Sequence, residues 1–186
     1  MTAPEVPILP VSPQIARARL KWRFVGDERP EFAEPTGPGE ESVWDFPRPP
    51  IIEPVSERLR VVSGDVLIAD TRRGVRVIET AGAPTYYFPP QDVSGEAVTF
   101  GDMVSVCEWK GVAQAVHMAG QEVGWRYVRM FEEFARLFEW VSFYPNRVEC
   151  YVGDARAEAQ PGGYYGGWVL PNLRGPIKGT PGSQGW

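Results

Sequence analysis

The run Cys107-Glu108-Trp109-Lys110-Gly111 sets a thiol, a carboxylate, an indole and an amine side by side. A thiolate can attack an electrophile, a carboxylate can carry a proton, and an ammonium can hold an anion. The thiol needs a base or a positive neighbour before it becomes a nucleophile. Read as extended chain, the run sends alternate side chains to opposite faces. Cys107 and Trp109 are then expected on one face, and Glu108 and Lys110 on the other unless Gly111 bends the strand. His117 is the only histidine and falls near the far end of the strand after Gly111, so a Cys/His dyad has little support. Cys150 shares its face with Val148 and Val152 and reads as a buried, inert thiol.

Glu79 is in phase with Val75 and Val77 and is expected to project inward at a strand end. An inward carboxylate is costly unless paired. Arg76, Lys110 or a backbone amide would satisfy it structurally; alternatively, Glu79 and Lys110 line a pocket as acid/base or anchor. Small-ligand pockets combine apolar walls with a few polar groups. Trp109, Trp125 and Tyr86, joined by Tyr144, supply candidate ligand-binding walls, with Cys107, Lys110 and Glu79 as candidate catalytic groups. Two isolated cysteines and one histidine cannot close a structural zinc site, so no metal is assigned. There is no phosphate-binding glycine loop and no Asp-x-Asp pair for two-metal chemistry, and no cofactor is assigned.

The elements that must position these groups are mostly strands. Leu59–Ser63 and Val66–Ala69 flank the turn signal Gly64-Asp65 and read as a hairpin. Val75–Glu79 and Pro84–Phe88 read as further strands. Residues 91–103 read as a loop with one short strand at best. Val104–Lys110 and Val112–Met118 are expected as strands broken at Gly111, with Glu122–Tyr127 and a hairpin around Pro145-Asn146 after them. Val128, Phe131, Phe134, Ala135 and Phe138 recur at helical spacing, which predicts an amphipathic helix over 128–140. No strand–helix alternation builds a parallel sheet. The fold class is therefore mainly β with one helix and extended terminal arms.

Eleven of the nineteen prolines lie in residues 1–57, which excludes continuous helix or central strand there. Within that stretch Ile15–Phe24 could be a short helix or an edge strand, and Trp44 and Phe46 suggest an arm packed on the main domain. The organisation expected is a proline-rich extension over 1–57, a core domain over 58–160 and a Gly/aromatic tail over 161–186 packed on that core. A formal charge of −5 and a pI near 5.0 make a sequence-independent nucleic-acid binder a poor candidate. No apolar run is long enough to span a bilayer. The N-terminus lacks the basic and apolar regions of a signal peptide, so a cytoplasmic location is expected.

Several runs together resemble the bacterial domain of unknown function family 427. They are Glu41–Pro50, Ala69-Asp70-Thr71, Val77–Thr80, Tyr86–Val93, Cys107–Gly111, Trp125-x-Tyr127, Phe143–Val148, Gly163–Trp168 and Gly175–Trp186. The resemblance spans about residues 40–186 and leaves 1–39 unplaced. It implies a β-tent-like fold, two small antiparallel sheets meeting at an angle. Relatives of that fold include zinc modules and B-type methionine sulfoxide reductases, but their Cys-x-x-Cys clusters are missing here. The family is sometimes labelled nucleotidyltransferase-like, a chemistry that no motif here supports. Two positions depart from the family pattern: Ala115 stands where a tyrosine is usual, and Val128 where a proline is usual.

Two functional readings follow. One is a small-molecule pocket, as an enzyme or binding protein, around Cys107, Lys110 and Glu79. The other is a non-catalytic interaction module that self-associates through its terminal arms into a homo-oligomer.

Overall fold

A computed structural model describes residues 5–186. A short helix, α1 (Pro13–Arg19), is capped by Ser12, whose hydroxyl accepts from the Ile15 amide at 3.3 Å. The strands then run β1 (Glu41–Ser42), β2 (Ile51–Pro54), β3 (Leu59–Ser63), β4 (Val66–Thr71), β5 (Val75–Ile78), β6 (Thr85–Tyr87), β7 (Thr99–Cys107) and β8 (Gly111–Met118). They continue with β9 (Gln121–Met130), β10 (Val141–Phe143), β11 (Glu149–Val152), β12 (Ala155–Arg156), β13 (Glu158–Ala159), β14 (Trp168–Val169) and β15 (Leu173–Arg174).

The molecule is mainly β, as its sequence predicts, but its strands form more sheets than two. Two are four-stranded, in the orders β10-β9-β8-β7 and β12-β11-β3-β4, and one is three-stranded, β2-β5-β6. All three are antiparallel. Two further pairs are β13-β14 and the parallel β1-β15, which ties the N-terminal arm to the C-terminal one.

Period-two alternation decides what each strand buries. Along β9, Val123, Trp125 and Tyr127 point inward. Val123 joins a first core with β3, β4, β10 and β11, centred on Leu59, Ile68, Phe143 and Trp168. Trp125 and Tyr127 join a second core with Val75 and Val77 of β5. Strand β6 sits between the two cores, so its consecutive tyrosines part: Tyr86 enters the first core and Tyr87 the second. A third cluster holds Trp44, Phe46 and Ile78, with Phe24 and Trp186 packed against it, and fastens both arms to the domain.

Two expectations need correction. The helix predicted over 128–140 is a 3-10 turn at Glu132–Leu137, and Val128–Met130 extend β9. Met130 is held in the ladder: it pairs with Gly111, its amide donates to the Pro7 carbonyl at 2.9 Å, and its carbonyl accepts from Leu9 at 2.7 Å. The buried residues Phe131, Phe134 and Leu137 recur every three positions, the period of a 3-10 helix rather than an α-helix. Residues 91–103 also hold more strand than expected, because β7 begins at Thr99. β7 is a sheet edge with most side chains exposed, so no buried face imprints alternation on its sequence. Among the described residues, no helix is long and apolar enough to cross a membrane.

Candidate functional site

The Cys107–Gly111 run is a hairpin turn and not continuous strand. Cys107 pairs with Gly111 across β7 and β8, and Glu108-Trp109-Lys110 close the turn. Gly111 has φ +127°, and a Cβ there would lie 2.0 Å from the Arg129 carbonyl oxygen, so only glycine fits. Strand parity fails at this point: Lys110 comes back to the side of Cys107, and Trp109 packs into the second core under the Arg19 guanidinium, 5.1 Å from its ring. The segment that the sequence left unplaced docks on the turn. The Arg19 Nε donates to the Glu108 carbonyl at 2.7 Å, and the Trp22 indole donates to the Glu108 carboxylate at 3.0 Å.

Beneath this turn lies a cavity of about 740 Å³. Its aromatic wall is Tyr87, Trp125, Tyr127 and Tyr144. The N-terminal arm closes one side with Trp22, and the tail closes another along Gly163–Gly167. Gly166 makes that approach feasible, since a Cβ there would lie 2.1 Å from the Trp125 ring. Arg48 locks the arm in place. Its guanidinium donates to Glu79 at 2.9 Å, to the Phe24 carbonyl at 2.6 Å and to the Thr80 carbonyl at 2.8 Å, with the Trp22 ring 4.8 Å away.

The cavity is electropositive within an acidic chain. Its charged side chains are Lys21, Arg48, Lys110, Arg147 and Lys178 against Glu79, Glu108 and Glu122. Lys110 is 8% exposed and has no carboxylate within ion-pair distance among the described residues. Burial pulls its pKa down, but the potentials of Cys107, Tyr87, Glu79 and Glu108 outweigh burial, and the net direction is up. It therefore stays an ammonium. Burial also raises Tyr87 and Tyr127, the latter with the Cys107 thiol beside it, and pushes Tyr144 up to about 12. The fully buried Tyr87 hydroxyl has no hydrogen-bond partner among the described residues; Thr85 and Trp125 approach it without reaching hydrogen-bond geometry. Lys178 behaves in the opposite way to Lys110. Burial first, then Arg48, brings it down to about 8.

Of the seven residues singled out from the sequence, Cys107, Lys110, Glu79, Trp125 and Tyr144 line this cavity. Trp109 and Tyr86 do not. Tyr86 stacks on Trp168 in the first core, centroids 4.8 Å apart, and burial raises it to about 12. The correction was available in the sequence pattern. If Val75, Val77 and Glu79 face inward, their antiparallel partners on that face are Tyr87 and Thr85, which selects Tyr87 over Tyr86. Glu79 pairs with Arg48 and with none of the partners proposed for it. Cys150 is buried as expected, and burial pushes its thiol well up. His117 pairs with Thr99 at the far end of β7, away from Cys107. Ala115 is buried opposite Trp125, and Val128 continues β9 in place of opening a helix. Among the described residues, no group of three or more His, Cys, Asp or Glu is placed to hold a metal ion.

No curated protein matches the chain. The profile of the domain of unknown function DUF427 matches residues 51–154. That span holds Glu79, Tyr87, Cys107, Lys110, Trp125 and Tyr144, whereas Trp22, Arg48 and Lys178 fall outside it. The match covers more than half of the sequence, and the chain belongs to the DUF427 family.

Proposed function

We propose that the cavity beneath the Cys107–Gly111 turn binds a small anionic molecule with an aromatic or apolar body, and that Lys110 is its anchor. The observation that carries this reading is the buried Lys110 ammonium, which faces the cavity without a carboxylate partner, beside the orphaned Tyr87 hydroxyl. A desolvated cation and a buried unpaired hydroxyl are both costly. A carboxylate or phosphate oxygen would satisfy both, and the walls of Trp125, Tyr127 and Tyr144 suit a flat apolar body. Cys107, which meets the same cavity as Lys110 and Glu79, is the group proposed to react, with Glu79 carrying protons. The alternative, self-association through the arms, has less to work with, because Trp44 and Trp186 pack within the chain and Trp22 closes the cavity.

A thermal-shift screen of small carboxylates and phosphates against the full chain tests the proposal. Hits are expected to be lost in Lys110→Met, and any turnover of a hit lost in Cys107→Ala. Hits that survive both substitutions unchanged would overturn it.

A further inference from the structure

The chain has sixteen arginines and only three lysines. Arginine supplies the cation of each side-chain ion pair among the described residues. All three lysines, Lys21, Lys110 and Lys178, line the one cavity. The two side chains differ in what they can do. Arginine is a permanent cation with a rigid fork, whereas lysine can lose its proton when desolvated and become a nucleophilic amine. A chain that uses arginine for structure and keeps lysine for a cavity has placed its lysine amines where a ligand would sit.

Lys110 and Lys178 are not equivalent there. Lys110 stands among Cys107, Tyr87, Glu79 and Glu108, which hold it cationic. Lys178 is 7% exposed, with its Nζ 3.4 Å from the Trp22 ring centre and 5.3 Å from that of Tyr165. It donates to the main-chain oxygen of Trp186 at 3.0 Å and has no side-chain carboxylate in ion-pair contact among the described residues. The groups facing it are Arg48 and Lys21, which favour the free amine, and Glu79, Glu108 and the main-chain oxygen of Trp186, which favour the ammonium. Both lysines thus feel Glu79 and Glu108 within one cavity.

We propose that Lys178 forms an imine with the carbonyl group of an anionic aldehyde or ketone whose acidic group rests on Lys110. This deepens the anion-binding reading above and rests on it. The Nζ lone pair bonds to the carbonyl carbon while the carbonyl π pair moves to oxygen, which takes a proton. The carbinolamine then loses that oxygen as water, the C–O bond breaks and the C=N bond forms. Amine and carbonyl go to imine and water, with no change of oxidation state. Burial of the amine favours the step, since desolvation and the nearby Arg48 bring Lys178 down to about 8, so much of it is neutral in mildly basic solution.

The test is reductive trapping. Full-length protein is incubated with 4-carboxybenzaldehyde and cyanoborohydride, and the modified lysine is located by peptide mass spectrometry. The three lysines compete within one molecule, so no variant is needed for the first readout. Among the three lysines, one carboxybenzyl group is expected, on Lys178, counted apart from any label on the α-amino group, with a trapping rate that rises as pH passes through about 8. Lys178→Arg should abolish the label, and Lys110→Met should slow it about tenfold or more, the loss of one charge-assisted contact. Modification spread evenly over Lys21 and Lys178, or confined to Lys21, would overturn the proposal. Binding of 4-(hydroxymethyl)benzoate, which has the acid but no carbonyl, separates the two levels. If it binds in a Lys110-dependent way and the aldehyde is not trapped on Lys178, the imine fails and the anion site stands. If neither ligand engages the protein, both fail.

Discussion

Two neighbouring regions use the same residue types to opposite ends. The first core buries Cys150, Tyr86 and Trp168; the second holds Cys107, Tyr87 and Trp125 around a cavity. In the first, polar atoms are satisfied from within. The Trp168 indole donates to the Phe143 carbonyl at 2.9 Å, and the Cys150 thiol reaches the Val148 carbonyl at 3.7 Å. Among the described residues, the buried side-chain atoms without partners belong to Arg19, Trp44, Tyr87, Trp109 and Ser142, and none of these residues is part of the first core. Tyr87 and Trp109 are in the second, and Arg19 lies over Trp109. Burial of a cysteine or a tyrosine therefore does not mark the site. An unmet hydroxyl beside unpaired charge does: of those five residues Tyr87 lines the cavity, with Lys110, and native proteins leave few such groups without a reason.

The comparison breaks most visibly at the thiols. Iodoacetamide should alkylate Cys107 in the native protein and leave Cys150 untouched until the chain is unfolded; intact-mass analysis that finds both modified together would erase the distinction. Truncations come next. Trp168→Ala removes a fully buried ring and should lower stability by about 4 kcal/mol in chemical denaturation. Arg48→Ala, which strands Glu79 and two carbonyls, should cost about 3 kcal/mol and also loosen the Trp22 wall. Deleting residues 1–39 should weaken ligand binding and leave the number of chains per particle in light scattering unchanged, since this segment closes the cavity. The smallest effect sharpens the contrast. Tyr87→Phe removes a buried hydroxyl that has no partner among the described residues and should raise stability by about 1 kcal/mol, while weakening the binding of an anion that uses it.

The pH dependence of anion affinity separates the two lysines. Lys178 has its pKa lowered to about 8, so its charge is present below that pH and lost above it. Lys110 is shifted the other way and keeps its charge. Affinity for a simple carboxylate should fall as pH rises through about 8 and then level off. Lys110→Met should remove the residual affinity above that point.

The β content, the Gly64-Asp65 hairpin and the buried Cys150 were legible because alternation and turn chemistry are local. The turn at Glu108-Trp109-Lys110 was hidden because its residues carry strand propensity, and only the register of β7 on β8 reveals that Gly111 pairs back to Cys107. That one misreading separated Cys107 from Lys110. The role of Trp22 and Arg48 was not legible, since both act through contacts distant in sequence. One signal was readable in composition: three lysines among sixteen arginines, all on one cavity.

The most direct measurement is calorimetric titration of the full chain with benzoate, phenyl phosphate and benzyl alcohol, repeated on Lys110→Met. The account predicts that at least one of the two anions binds the native protein, that the alcohol does not bind, and that Lys110→Met weakens the anion about tenfold or more while the fold melts as before. Equal binding of anion and alcohol, or anion binding untouched by Lys110→Met, would contradict it.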